Sequence, residues 1–171
     1  MTIRQETTSD ASAVYELVKT AFSSAEHSDG NEQDLVVLLH KSSAFQPALS
    51  LVAEENGKII GYILFSEIKI GEKTAIAPAP LAVLPEHQRK GVGLALLVEG
   101  HSIAKNLGYG ISVVLGSETY YPKAGYVSAS RFGIICPFEG VPDENYMALP
   151  LQEPAAEWNG TVTYDKAFFE V

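Results

Sequence analysis

The chain has one cysteine, Cys136, in 171 residues, so no disulfide can form within it. No apolar run approaches the roughly 20 residues that a membrane-spanning helix needs. The opening MTIRQETTSD lacks the apolar core of a secretion signal. A cytoplasmic protein without a membrane partner is expected. Positive charge is scarce: 12 Lys and Arg against 21 Asp and Glu leave a net charge of −9. That disfavours nonspecific nucleic-acid binding, which needs a basic surface. It suits a cationic partner such as an amine, although plain solubility accounts for it equally well. The four histidines, His27, His40, His87 and His101, do not group as metal ligands do, and no metal is expected. Internal repeats and linkers are also missing, so a single domain spanning 1–171 is expected. A chain of this length buries about 70% of its unfolded surface, and 46% hydrophobic residues supply the core.

What is present centres on Leu81 to Leu97, LAVLPEHQRKGVGLALL. An apolar strand breaks at Pro85, crosses a polar turn and re-emerges at Gly91 as a helix. The turn carries Gln88, Arg89, Lys90, Gly91 and Gly93 in the pattern Gln-x-x-Gly-x-Gly. N–H groups at a helix start lack intrahelical partners, and with the helix dipole they favour an anion. Glycine lets a phosphate approach the backbone, and Arg89 and Lys90 add positive charge. A plain strand–turn–helix unit would also use these glycines, but the adjoining Gln-Arg-Lys favours a diphosphate cradle. No Gly-x-x-x-x-Gly-Lys-Ser/Thr is present, and the third glycine of a dinucleotide fingerprint would fall at Leu96.

Leu81-Ala82-Val83-Leu84-Pro85 followed by Gln88-Arg89-Lys90-Gly91-Val92-Gly93 resembles the acetyl-coenzyme A motif of the GNAT N-acetyltransferases. Tyr120-Tyr121-Pro122-Lys123-Ala124-Gly125-Tyr126 resembles the second motif of that family, with Tyr126 where Phe is usual. The tail, with Cys136-Pro137-Phe138-Glu139 and Met147-Ala148-Leu149, resembles the YhbS-like branch. The resemblance runs roughly from Ile3 to the C-terminus. It implies an α/β (α+β) fold: a mixed, mostly antiparallel sheet, splayed between two parallel strands, with helices on both faces. It also implies acetyl-CoA as co-substrate and an amine acceptor, and leaves a homodimer as an open expectation.

Taken in order, Ile3-Arg4 opens a short strand. Ser9-Asp10 offers a cap for a helix to Phe22, and Asp34 to Leu39 forms a second. The loop between them, with Glu26, His27, Asp29 and Glu32, flanks the acceptor site by resemblance; a solvated loop explains its acidity too. Leu49 to Ala53 and Ile59 to Phe65 read as strands about the Glu55–Lys58 turn. Ala75 to Val83 is a strand that Pro78 and Pro80 should bulge or splay. The helix from Gly91 to about Leu107 should pack Leu94, Leu97, Val98 and Ala104, with His101 half-buried and structural. Gly108 closes it. Ile111 to Leu115 is a buried strand, a short helix should carry the tyrosines, and Arg131–Ile135, Tyr146–Leu149 and Thr161–Tyr164 read as late strands.

By resemblance, the cofactor-binding set is Leu81, Ala82 and Val83 along the pantetheine arm, and Gln88, Arg89, Lys90, Gly91, Val92, Gly93 and Leu94 at the diphosphate. The Val83 N–H would polarise the thioester carbonyl. Tyr121 matches the leaving-group acid; a packed tyrosine bonded to a carbonyl is the alternative. A carboxylate base placed eleven residues before Gln88 in some relatives is Ala77 here. Glu118 is then the nearest candidate, acting through water, with Glu67 second and solvent a third route. A coenzyme-binding sensor without catalysis is the competing function, and an unrelated phosphate-binding α/β protein a third.

Overall fold

The computed structural model describes residues 1–26 and 28–171. Four strands open the sheet: β1 (Thr2–Gln5), β2 (Phe45–Glu55), β3 (Lys58–Ile70) and β4 (Lys73–Val83). After them come β5 (Ile111–Leu115), β6 (Val127–Ser128), β7 (Ile134–Ile135), β8 (Tyr146–Pro150) and β9 (Gly160–Thr163). The helices are α1 (Ala11–Phe22), α2 (Glu32–His40) and α3 (Val92–Asn106). The sheet runs β1-β2-β3-β4-β5-β8-β6, with β9 on the far end of β3 and β7 beside β9. Its pairs are antiparallel except β4–β5 and β7–β9. This is the mixed, splayed α/β sheet that the family resemblance implies.

Strand β3 extends five residues beyond the expected Phe65, although Ser66, Glu67 and Lys69 interrupt its apolar run. The hairpin to β4 carries the ladder on to Ile70↔Lys73, and Gly71 turns it at φ +59°. On β4 the prolines act as their chemistry requires. Ile63 faces Leu81 but Phe65 faces Pro78, so three steps on β4 oppose two on β3. That extra residue is a bulge. Beyond it, β4 and β5 share one register pair, Ile76↔Ser112, and then part.

Helix α3 lies against one face of the sheet. A Cβ at Gly61 would sit 2.9 Å from Val92, and one at Gly100 only 2.1 Å from Phe65, so both glycines allow close approach. The buried stripe of α3 is Val92, Leu96, Leu97, Gly100, His101 and Ala104. Val98, expected in the core, is 55% exposed, and Leu96, which was not, is fully buried. At 100° per residue, Val98 is the position that turns away from the sheet once Leu97 faces it. On the opposite face, Tyr62 of β3 bonds Ser50 (2.6 Å), Ser50 bonds Glu6 (2.9 Å), and Glu6 meets His40 of α2 (2.5 Å). Residues Arg131 to Phe132, expected to begin a strand, complete a 3-10 turn, and only Ile134–Ile135 is extended after Gly133. Segments β7 and β9 cover a second apolar cluster that includes Ala77, Val113, Ala148 and Tyr146.

Asp10 does not cap α1 with its side chain as Ser9-Asp10 suggests. Its carboxylate turns back to the Thr7 N–H (2.7 Å) and to the Arg4 guanidinium (2.8 and 3.1 Å). Arg4 above all, and then Thr7, hold the carboxyl well below its usual range against the opposing effect of burial. A carboxylate with a depressed folded pKa adds stability above its unfolded value, and that stability is lost as pH falls. Asp10→Asn should therefore cost about 2–3 kcal/mol at neutral pH. The deficit relative to wild type should shrink below about pH 4. Urea unfolding of both proteins at pH 7 and pH 3 checks this; a deficit that does not change with pH would remove Asp10 as its source.

Candidate active site

Where β4 and β5 part, a cleft of about 670 Å³ opens between the end of β4, the start of α3 and the loop after β5. Its lining includes Leu81, Val83, Gln88, Arg89, Gly91, Val92, Gly93 and Leu94, which are eight of the ten cofactor-binding residues expected. Ala82 and Lys90 do not line it. Ala82 is buried and pairs with Tyr62, while Lys90 is exposed on the turn.

Strand geometry makes this arrangement usable. The Leu84 N–H reaches the Ile60 carbonyl on β3 (2.9 Å). Alternate residues of a strand point their N–H groups to opposite sides, so the N–H groups of Val83 and Leu81 face the gap. The Gln88 amide donates to the Val83 carbonyl (3.0 Å) and folds the turn back onto the strand end. Arg89 takes φ +61° and Gly91 φ +86°. These two left-handed residues bring the chain round before α3; glycine adopts that conformation freely, arginine at some cost. The first bond leading into α3 is Ala95 N–H to Gly91 O (3.0 Å). The N–H groups of Val92, Gly93 and Leu94 therefore have no helical carbonyl to meet, and they open beside Arg89 on a site suited to an anion.

Tyr121 lines the other wall, at the start of a 3-10 turn ending at Ala124. Its ring stands edge-on to Tyr120 (5.2 Å, 88°) and to Tyr126 (5.7 Å, 81°). Burial, with a smaller effect of Tyr120, pushes its phenol up to about 12, so it is protonated at neutral pH. Among the described residues its hydroxyl has no hydrogen-bond partner, which leaves it able to donate to a ligand. Tyr120 is half-buried beside α3, with its phenol also raised by burial.

Glu118 lies on the loop outside the cleft lining. Its carboxylate accepts from Asn145 Nδ2 (2.7 Å). Its own backbone N–H, and then Asn145, hold its pKa down, which weakens it as a base. Glu67 accepts from the Tyr109 hydroxyl (2.8 Å), just past the C-terminal end of α3 and away from the cradle. Ala77 faces the second apolar cluster, without a carboxylate beside the parting strands. Of the residues expected in the acidic loop between α1 and α2, Glu32 instead opens α2 and accepts from Ser28 (2.6 Å), and His27 lies outside the described residues. His87, Gly116, Ser117 and Lys123 also line the cleft and were not singled out from the sequence. Lys123 stands two residues after Tyr121 in the second motif, which was the available signal. Among the described residues no group of His, Cys, Asp and Glu is placed to hold a metal ion. None of their helices is long and apolar enough to cross a membrane.

Comparison with known proteins adds an independent line. Residues 46–128 match the model of the acetyltransferase (GNAT) domain. The chain is 36% identical over 154 residues to the uncharacterized N-acetyltransferase YjhQ of Escherichia coli (strain K12), covering 87% of this chain and 82% of that one. Among solved structures it is similar to the GNAT family N-acetyltransferase YhbS from Escherichia coli in complex with CoA. That likeness has a TM-score of 0.89 at 26% identity, over 99% of this chain and 92% of the other. It is also similar to a GNAT family acetyltransferase from Brucella melitensis in complex with acetyl-CoA. There the TM-score is 0.82 at 30% identity, over 98% and 97% of the two chains.

The wall contact between α3 and Tyr120 is directly testable. A Cβ at Gly93 would lie 2.3 Å from the Tyr120 hydroxyl but 3.5 Å from the carbon that bears it. Gly93→Ala should displace Tyr120 and so forfeit much of the roughly 1 kcal/mol that alanine gains over glycine within a helix. In a Tyr120→Phe background the same substitution should be stabilising by about that amount. Thermal or urea unfolding of the four proteins gives the coupling; equal effects in both backgrounds would mean that the two side chains do not meet there.

Proposed function

The chain belongs to the GNAT family of acetyltransferases, and we propose that it moves an acetyl group from acetyl-CoA to a primary amine of a small molecule or protein by direct attack. The carrying observation is the continuity of one cleft from the free N–H groups of α3, past the open edge of β4, to the Tyr121 hydroxyl. The residues 1–171 act as one catalytic domain, in keeping with β1 and β9 both pairing into the central sheet.

In this reading the start of α3 and Arg89 hold the diphosphate, with Lys90 adding charge at longer range. The Leu81 and Val83 N–H groups bind along the pantetheine arm, and Ala82 keeps that edge in place through its pairing with β3. The Val83 N–H meets the thioester oxygen as negative charge develops there. The amine nitrogen attacks the carbonyl carbon, the C–S bond breaks, and Tyr121 gives its proton to the departing sulfur. The attacking nitrogen releases a proton. Glu118 acting through water is the candidate carboxylate for it, and its lowered pKa shifts much of that task to solvent. Holding the two reactants in line supplies most of the acceleration. The same cradle would serve a coenzyme-binding sensor, and Ala77, with no carboxylate to offer, is the feature that favours that alternative.

Calorimetry with acetyl-CoA tests the cradle first. The wild type should bind, and Gly91→Glu should abolish binding by setting a carboxylate against the diphosphate. A folded wild type that does not bind would end both the enzyme and the sensor readings. Turnover across a panel of amines then separates those two. Tyr121→Phe should lower kcat about 10²-fold, and Glu118→Gln less than about tenfold. Because the Tyr121 phenol is held near 12, the ratio of wild-type to Tyr121→Phe kcat should stay constant from about pH 6 to about pH 10. A ratio that falls across that range would contradict the assignment.

A further inference from the structure

We propose that Tyr126 is a positioning residue for Tyr121, acting through His101 and Ser112; this rests on the assignment of Tyr121 as the leaving-group acid. Tyr126 is 1% exposed, yet it carries a hydroxyl that must be satisfied inside the protein. That hydroxyl shares hydrogen bonds with His101 Nε2 (2.8 Å) and with Ser112 Oγ (2.8 Å), both also buried. Burial holds the His101 imidazole down at about 4, so the group of three is uncharged at neutral pH. His101 belongs to α3, whose start forms the diphosphate cradle. Ser112 is the β5 residue that pairs with Ile76 where the two parallel strands part. One hydroxyl thus joins the cradle helix, the apex of the splay and the segment that follows Tyr121.

Tyr121 needs such an anchor because its own hydroxyl has no partner among the described residues, so packing alone sets its position. Its neighbours are Tyr120, Tyr126 and the bare face of Gly116, where a Cβ would lie 2.4 Å from the Tyr121 ring. Tyr120 borders the open cleft. Of the two aromatic neighbours, Tyr126 is the one tied by hydrogen bonds to separate elements. A phenylalanine there would keep the ring contact but leave Ser112 Oγ and His101 Nε2 buried without that partner. Their search for new partners shifts the surface on which Tyr121 rests, and a displacement near 1 Å in a reacting group is costly in rate.

The test is a double-mutant cycle on the full chain, with acetyl-CoA and an amine that turns over. Tyr126→Phe should lower kcat about 5–20-fold while KM for acetyl-CoA changes less than about twofold. In a Tyr121→Phe background the same substitution should lower kcat no further. Equal losses in both backgrounds, or wild-type kcat in Tyr126→Phe, would overturn the proposal. Full activity of Tyr121→Phe would instead remove the acid assignment beneath it. A readout independent of turnover is the fluorine resonance of 3-fluorotyrosine placed at position 121. It should be single and sharp in the wild type and broadened or doubled in Tyr126→Phe. An unchanged resonance overturns the positioning role whether or not the protein turns an amine over.

Discussion

The parting of β4 from β5 is the constraint on which the site depends. Two parallel strands that paired along their whole length would satisfy each other's backbone groups and leave no room for a ligand. Here they meet at Ile76↔Ser112 alone. The prolines and the bulge disturb β4 on its way to that edge, and β3 pairs with its other side on both sides of the bulge. The result is a strand edge on which the N–H groups of Leu81 and Val83 face the gap. Unpaired backbone donors are normally a liability in a sheet. In the function proposed above, the pantetheine arm would complete them like an added strand.

The rest of the molecule keeps that gap in shape. Helix α3 is pressed onto β3 at two glycines, so its N-terminus is delivered close to the end of β4. The Gln88 bond to the Val83 carbonyl fixes the turn between strand and helix from within. On the opposite face, the Arg4–Asp10 pair and the chain Tyr62–Ser50–Glu6–His40 join α1 and α2 to the sheet. Such buried polar chains are costly if broken, because each member left alone forfeits its solvation. The polar groups of this core therefore specify one arrangement of helices over the sheet, and apolar burial supplies the bulk of the driving force.

The division of labour across the splay follows from the same geometry. The α3 face carries Tyr121 and the buried group around Tyr126, whose phenols burial keeps neutral. The other face carries Ala77, where a carboxylate would have supplied a base. In the function proposed above, such a site would rely on positioning and on an acceptor that sheds its proton to water. Its net charge of −9 is compatible with drawing such a cationic acceptor in.

The sequence by itself determined the local elements and the cradle. Periodicity, turn residues and the Gln-x-x-Gly-x-Gly spacing act over a few residues, and those interactions are the same in any context. The strand–turn–helix from Leu81, the proline-disturbed β4 and the closing Gly108 were legible for that reason. Tertiary structure decided what depends on distant partners. It set which face of α3 is buried, exposing Val98 in favour of Leu96. It turned Asp10 away from its helix towards Arg4, and carried β3 through polar residues because β4 was there to pair with it. It brought Lys123 and His87 to the cleft and bound Glu118 to Asn145, 27 residues away. Apart from Lys123 and His87, which sit within the two motifs, no local pattern encodes these outcomes, because each is the free energy of a contact between segments that the chain must first bring together.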